Sequence, residues 1–152
     1  MPSIFSKIVS GDIPALKIYE DQASLAFLDI SPASRGHTLV ISKDEHADLY
    51  AMPPETLAAV TRTVQRVARG LRAALQPDGI NIIQNNGAAA GQTVFHYHVH
   101  IIPRWEGDNA VRLWQPRDAD QAELRALAEQ IGVAISDLQS VNAQGAPRSA
   151  SA

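Results

Sequence analysis

Apolar positions recur along this chain with two periods, and each period marks a type of element. Between residues 93 and 102 the alternation is strict. Val94, His96, His98 and His100 fall on one set, and Phe95, Tyr97, Val99 and Ile101 on the other. Successive side chains of a strand point to opposite faces, and β-branched and aromatic residues suit the pleated surface. The stretch therefore predicts a strand that buries its aromatic and aliphatic face and turns a row of imidazoles the other way. Residues 16–20 and 24–29, on either side of Asp21-Gln22, predict a hairpin. Residues 38–41 and 80–84 predict two further strands.

The second period is helical. Ile4, Phe5, Ile8 and Val9, closed by Gly11, predict a short first helix. Pro53-Pro54-Glu55 opens a long one, whose stripe is Leu57, Val60, Val64, Val67, Leu71 and Leu75. Arg62, Arg66, Arg69 and Arg72 lie largely off that stripe, which makes them a solvated face, and the helix ends near Gln76-Pro77-Asp78-Gly79. A capping box, Asp120-x-x-Glu123, starts a last helix with the stripe Leu124, Leu127, Ile131, Ile135 and Leu138. From Ser140 the composition of Ala, Ser, Gly and Pro without a period predicts a loose tail. Short consecutive strands around one long helix imply an α+β fold, an antiparallel β-sheet flanked by helices. The expected organisation is a domain over residues 1–115, a helical extension over 116–139 and a tail over 140–152.

Composition narrows the function. A chain of 152 residues, 45% of them hydrophobic, is long enough for a real core. A formal net charge of -3 excludes a broad basic surface for nucleic acid. The absence of cysteine excludes disulfides and thiolate zinc sites. No stretch has the length and apolarity of a membrane span, and the first residues lack a signal-peptide layout, so a cytoplasmic location is expected.

Three of the five histidines sit in the alternating stretch. Neighbours on one strand face lie about 6.5–7 Å apart, so two imidazoles can converge on one ion or one phosphate. Neutral imidazole is a nucleophile and a metal ligand; imidazolium is a cationic donor. A solvated polar face, a metal site made by His96, His98 and His100, and phosphate chemistry all remain open from the spacing. In the phosphate reading the middle histidine, His98, attacks phosphorus and forms a covalent nucleotidyl-imidazole that water then cleaves. His96 and His100 set its tautomer or donate to non-bridging oxygens. Asp29 either caps the turn at Ser31-Pro32 or accepts from both ribose hydroxyls. Gly87 and Gly91 flank three alanines in a loop that allows close backbone approach to a ligand. Trp105 and Trp114 are assigned to core or interface packing.

The His-x-His-x-His run followed by two apolar residues resembles the signature of the histidine-triad (HIT) family of nucleotide hydrolases and transferases. The resemblance extends to Asn85-Asn86-Gly87, Gly91-Gln92-Thr93, Pro103-Arg104, residues 26–30 and residues 36–41. It implies a HIT-like fold, a homodimer that joins two sheets, and chemistry that needs no metal or other cofactor. It implies His98 as nucleophile, His37 beside the triad, Phe27 and Ile30 against a purine base, and Asp29 on the ribose. Asn85, Gln92 and Thr93 would meet the phosphate or the leaving group. Related transferases mostly carry Gln at the third triad position, so His100 favours hydrolysis. The expected substrate is an AMP-like nucleoside 5'-phosphoramidate or related conjugate. Dinucleoside polyphosphate hydrolysis is the close alternative, and non-catalytic nucleotide or metal binding the more distant ones. Many bacterial members carry Cys-x-x-Cys near the N-terminus as half of a structural zinc site. The matching positions here are Ser3 and Ser6, and another position of that zinc pattern falls on Glu45, beside His46. No structural zinc is expected.

Overall fold

The computed structural model describes residues 1–144 and divides them into two compact units, Met1–Arg112 and a second beginning at Leu113. The first unit contains a five-stranded sheet in the order β1-β2-β3-β5-β4, every pair antiparallel. The strands are β1 (Lys17–Glu20), β2 (Ser24–Leu28), β3 (Thr38–Ser42), β4 (Gly79–Ile83) and β5 (His98–Arg104). Asp21 makes the β1–β2 turn, its Oδ1 accepting the N–H groups of Ala23 and Ser24, both at 2.9 Å. The α+β architecture expected from the sequence is the observed one.

Two helices cover the two faces of the sheet. Helix α1 (Ile4–Ser10) begins where the Ser3 hydroxyl accepts from the Ser6 N–H, and ends at Gly11 in the left-handed conformation. It buries Phe5 and Ile8 against Leu25, Phe27, Leu39 and Ile41. Helix α2 (Pro54–Leu75) packs Val60, Val64, Val67 and Leu71 against Ala26, Val40, Tyr97, Val99 and Ile101. Full burial of each such aliphatic side chain stabilises the fold by about 1.5–3 kcal/mol. Arg62, Arg66, Arg69 and Arg72 are exposed, as their position off the stripe predicts. Gly36, just before β3, has φ +85°, and a Cβ there would lie 2.4 Å from Leu75 Cδ1. Only glycine fits both the backbone and the end of α2.

One boundary differs from the sequence expectation in a way that matters. The triad strand does not begin at residue 93; β5 starts at His98, and residues 93–97 are irregular. The cause is the neighbouring strand. β3 ends at Ser42 and its last registered pair with β5 is Ile41 with His98, so no ladder opposes residues 93–97. Phe95 is accordingly exposed rather than buried with Tyr97 and Val99. The row of imidazoles is also not a solvated face: His96 and His98 are buried, beneath α1.

In the second unit, α3 (Gln121–Gln144) starts at Asp120, whose carboxylate accepts the Glu123 N–H at 3.2 Å, one half of the expected capping box. Leu124, Leu127, Ile131, Ile135 and Leu138 are exposed, and Trp114 is 84% exposed. The helix runs past residue 139, so residues 140–144 of the expected tail are helical; Val141 continues the apolar spacing from Leu138. The rest of that tail, 145–152, lies outside the described residues. Among the described residues no helix is long and apolar enough to cross a membrane.

Candidate functional site

The alternation of β5 sends His98 and His100 to the α1 side of the sheet while Val99 and Ile101 enter the α2 core. There they border a cavity of about 270 Å³ together with Phe27, Asp29, Ile30 and Thr93, closed on one side by Phe5 and Ile8 of α1. Phe27 is buried in the cavity wall, whereas Ile30 stands at its edge, 93% exposed. A larger cavity of about 370 Å³ between β1 and α2 contains none of the histidines and is lined mainly by Ile18, Val67, Leu71 and neighbouring small residues. None of the described residues that line the histidine cavity is Lys or Arg. An anion entering it meets no fixed positive charge from these residues, and Asp29 is the one carboxylate among them.

The hydrogen-bond partners decide where each imidazole carries its proton. His96 Nε2 lies 2.7 Å from the Ser42 carbonyl oxygen. A carbonyl only accepts, so that nitrogen donates. His98 Nδ1 lies 2.6 Å from the His96 carbonyl and donates to it by the same argument. Burial holds the His98 ring below its ordinary value, opposed by the hydrogen bond to the His96 carbonyl. The ring is therefore neutral near pH 7, with a bare Nε2. A neutral imidazole whose free nitrogen borders a cavity is a nucleophile that needs no base to activate it.

A second relay fixes His100. The Ala33 N–H donates to His37 Nδ1 at 3.0 Å, so that nitrogen is bare. Burial lowers the His37 pKa, with Asp29 acting in the opposite sense. In the neutral ring the proton therefore sits on Nε2, which donates to His100 Nδ1 at 2.9 Å. Asp29 Oδ2, 3.7 Å from His37 Nε2, favours the proton on that nitrogen. His100 is pushed down to about 4, first by burial and then by the neighbouring His98 and His37. Neutral His100 accepts at Nδ1 and so presents Nε2–H, a donor suited to a non-bridging phosphate oxygen. The rings of His98 and His100 stand 5.1 Å apart, close to perpendicular.

The remaining expected contacts divide. Thr93 borders the cavity, but Asn85, Gly91 and Gln92 are not among its lining residues. The Gln92 amide is occupied by the backbone: its oxygen accepts the Gly87 N–H at 2.8 Å and its nitrogen donates to Ala47 O at 2.6 Å. Gly91 has φ +89° and closes the short 3₁₀ turn Ala88–Ala90. Asp29 does serve the turn, its Oδ1 accepting the Ser31 N–H at 2.8 Å. His46 uses its carbonyl, not its ring, to accept the Tyr97 N–H. Trp105 is partly buried in the first unit.

A metal would not be held by His96, His98 and His100 as a set, because both nitrogens of His96 and one of His98 are engaged. The donor atoms that do converge, within 4.8 Å of one another, belong to Asp29, His37 and His100. An ion there would have to displace the proton shared between His37 and His100. Sequence reasoning did not find the backbone partners at Ala33 and Ser42, which no side-chain pattern could signal.

Three comparisons bear on this site. The adenosine 5'-monophosphoramidase hnt1 of Schizosaccharomyces pombe is 40% identical over 136 residues, 89% of this chain and 99% of that protein. The crystal structure of a member of the HIT family from Bacillus subtilis superposes with a TM-score of 0.82 at 41% identity, over 87% of this chain and 96% of that one. A zinc-bound histidine triad family protein from Mycobacterium smegmatis superposes with a TM-score of 0.67 at 49% identity, over 86% of this chain and 96% of that one. The HIT domain family model matches residues 10–107, which include His37, both relays and the cavity-lining strand, and the chain belongs to the HIT family.

Proposed function

We propose that this protein is a cytoplasmic nucleotidyl hydrolase that cleaves an AMP-like nucleoside 5'-phosphoramidate or related conjugate through His98. The observation that carries the reading is the neutral His98 ring, tied at Nδ1 to the His96 carbonyl and open at Nε2 beside the cavity. The Nε2 lone pair forms a bond to phosphorus. The bond from phosphorus to the leaving nitrogen breaks, and the departing amine takes a proton from solvent. The imidazole thereby gains positive charge, which the carbonyl dipole at Nδ1 stabilises without reorganisation. Water then attacks phosphorus and gives up a proton to solvent, the bond to Nε2 breaks, and the nucleoside monophosphate leaves with the neutral ring restored.

His100 Nε2–H steadies the non-bridging oxygen, and His37 keeps that donor in place. The base lies against Phe27 and Ile30, with Asp29 on the ribose and Thr93 near the phosphate. Asn85, Gly91 and Gln92 shape the loop above it, Gln92 through its backbone contacts. The name of the fission-yeast relative, a monophosphoramidase, supports this substrate class. We assign a homodimer, as the family resemblance implies. β4 is an edge strand with Ile82 exposed, and such an edge pairs readily with a second copy to give a continuous sheet.

Incubation with adenosine 5'-phosphoramidate, with AMP release followed by chromatography, tests the reading. The expected result is turnover, together with a nucleotidyl adduct on the peptide that contains His98 in mass spectra of protein quenched in alkaline denaturant. An adduct on another residue, or no AMP from any member of a panel of nucleotidyl amidates, sinks it.

A further inference from the structure

The cluster at the start of α1 stands where the family's zinc pattern would place a metal, and it is built from the wrong donors. Ser3, Ser6 and Glu45 meet there as that pattern predicts, and the fourth group in the cluster is His96 Nδ1. Zinc sites use thiolate, imidazole or carboxylate ligands, and two of these four groups are neutral hydroxyls. Their protons are moreover committed to one another. The Ser6 hydroxyl donates to Glu45 Oε2, and the Ser3 N–H donates to the same oxygen at 3.2 Å. The Ser6 N–H donates to Ser3 Oγ at 3.0 Å. With His96 Nε2 donating to Ser42, its Nδ1 is bare, and the Ser3 hydroxyl donates to it at 2.7 Å. The set does not fit a zinc ion.

We propose that Ser3, Ser6 and Glu45 form a metal-free clamp that holds His96 in one tautomer and orientation and, through the His96 carbonyl, fixes the tautomer of His98. These three are positioning residues; none of them lines the cavity. The geometry is directional. Glu45 takes the Ser6 proton and the Ser3 N–H, which leaves the Ser3 hydroxyl proton to turn to His96. His96 is completely buried, and apart from Ser3 the hydroxyl nearest its Nδ1 is that of Ser6, at 3.4 Å and already donating to Glu45. Phe5, the second residue of the same helix, packs edge-on against both the His96 and His98 rings, at 5.9 and 5.0 Å between centroids. Helix α1 thus grips the nucleophile's support by a hydrogen bond from its N-cap and by packing two residues further on. Residues 93–97 are outside the β5 ladder; Tyr97 is tied through its N–H to the His46 carbonyl and through its own carbonyl to the Ser42 N–H, and the grip of α1 on His96 adds to that backbone hold.

The inference rests on the reading of His98 as nucleophile for its kinetic test but not for its spectroscopic one. Ser3→Ala removes both the donor and the helix cap; Ser3→Gly removes the donor and largely spares the cap; Ser3→Thr keeps both. With adenosine 5'-phosphoramidate, Ser3→Ala and Ser3→Gly should lose about tenfold in kcat, the value of one hydrogen bond, with KM within about twofold. Ser3→Thr should restore kcat. Nitrogen-15 NMR of the histidine rings should show a single tautomer at His96 and His98 in the parent protein and a mixture in Ser3→Gly. Unchanged kcat and unchanged ring signals in Ser3→Gly overturn the clamp while leaving His98 as nucleophile. If the parent protein releases no AMP, the proposed function fails and the ring signals alone decide the clamp. Zinc added to purified protein should be removed by dialysis; one tightly retained zinc per chain, with the Ser3 and Ser6 variants losing it, overturns the metal-free assignment.

Discussion

On the α2 face of the sheet, Val40, Val99 and Ile101 meet Val60, Val64, Val67 and Leu71, and the buried hydrogen bond from Ser24 to Thr63 lies beside this apolar layer and touches no histidine. On the α1 face, Phe5, Ile8, Phe27 and Leu39 share the space with His96 and His98, and every ring nitrogen but one of these two histidines has a named partner. Both layers are buried and both are made by the same strands. The apolar part of the first asks for volume and shape, which many apolar side chains can supply. The second asks for direction: an acceptor opposite one nitrogen, a donor opposite another, and one nitrogen left open. Stability is concentrated on the one face and chemistry on the other, and β5 belongs to both.

Mutations should separate the two layers. The largest effect is expected from His98→Ala, which should lower AMP release on the order of 10⁴-fold or more while leaving equilibrium binding of AMP largely intact. Near-parental turnover in that variant would mean that another group attacks phosphorus. Next, Ile101→Ala on the opposite face should cost about 2–5 kcal/mol in urea unfolding without changing kcat of the folded fraction. A selective fall in kcat there would show that the faces are coupled through β5 more tightly than their packing implies. His37→Ala should cost about tenfold in kcat, since it removes the donor that sets the His100 tautomer but not the nucleophile. Gly36→Ala, adjacent in sequence, should instead lower the melting temperature by introducing a Cβ against Leu75 at positive φ, with kcat little changed.

The smallest and most gradual effect is on pH dependence. His37, His96, His98 and His100 all have folded pKa values below 6.5, His100 at about 4. The unfolded chain takes up protons on these rings as pH drops below about 6.5, and the folded chain resists doing so. Their contribution to stability is therefore complete above that pH and is lost as pH falls through the window down to about 4. Melting temperatures recorded between pH 7 and pH 4 should decline across it, and His100→Gln should flatten the slope. A melting temperature that rises on acidification would contradict the neutral rings on which the nucleophile depends.

Helix α2 was legible because six apolar residues at steps of three and four leave one face to bury, and it was found at Pro54–Leu75. The placement of His98 and His100 on the face opposite Val99 and Ile101 was equally legible, since a pleat has only two sides. Val94 and His96 do lie on the α1 side with His98, but they were read as part of its strand, and the strand begins only at His98. The alternation continues through them, but a strand exists only where a neighbour supplies the ladder, and β3 has run out by Ser42. The last helix was cut short at residue 139 because the chain from Ser140 is rich in Ala, Ser, Gly and Pro and lacks a clear period, whereas an exposed helix needs no apolar face to continue. The loop residues Asn85 and Gln92 were assigned to the phosphate or the leaving group by resemblance alone, and the fold uses Gln92 to hold the loop to Ala47 and Gly87.

The order of residues along the chain determined which side chains share a face, where the helices start, and that an imidazole stands between two others. It did not determine where any proton sits. That was settled by a carbonyl 54 residues from His96, a hydroxyl 93 residues from it, and a backbone N–H beside His37. A hydrogen bond takes its direction from the partner, and these partners reach the histidines only when the sheet and α1 have closed around them.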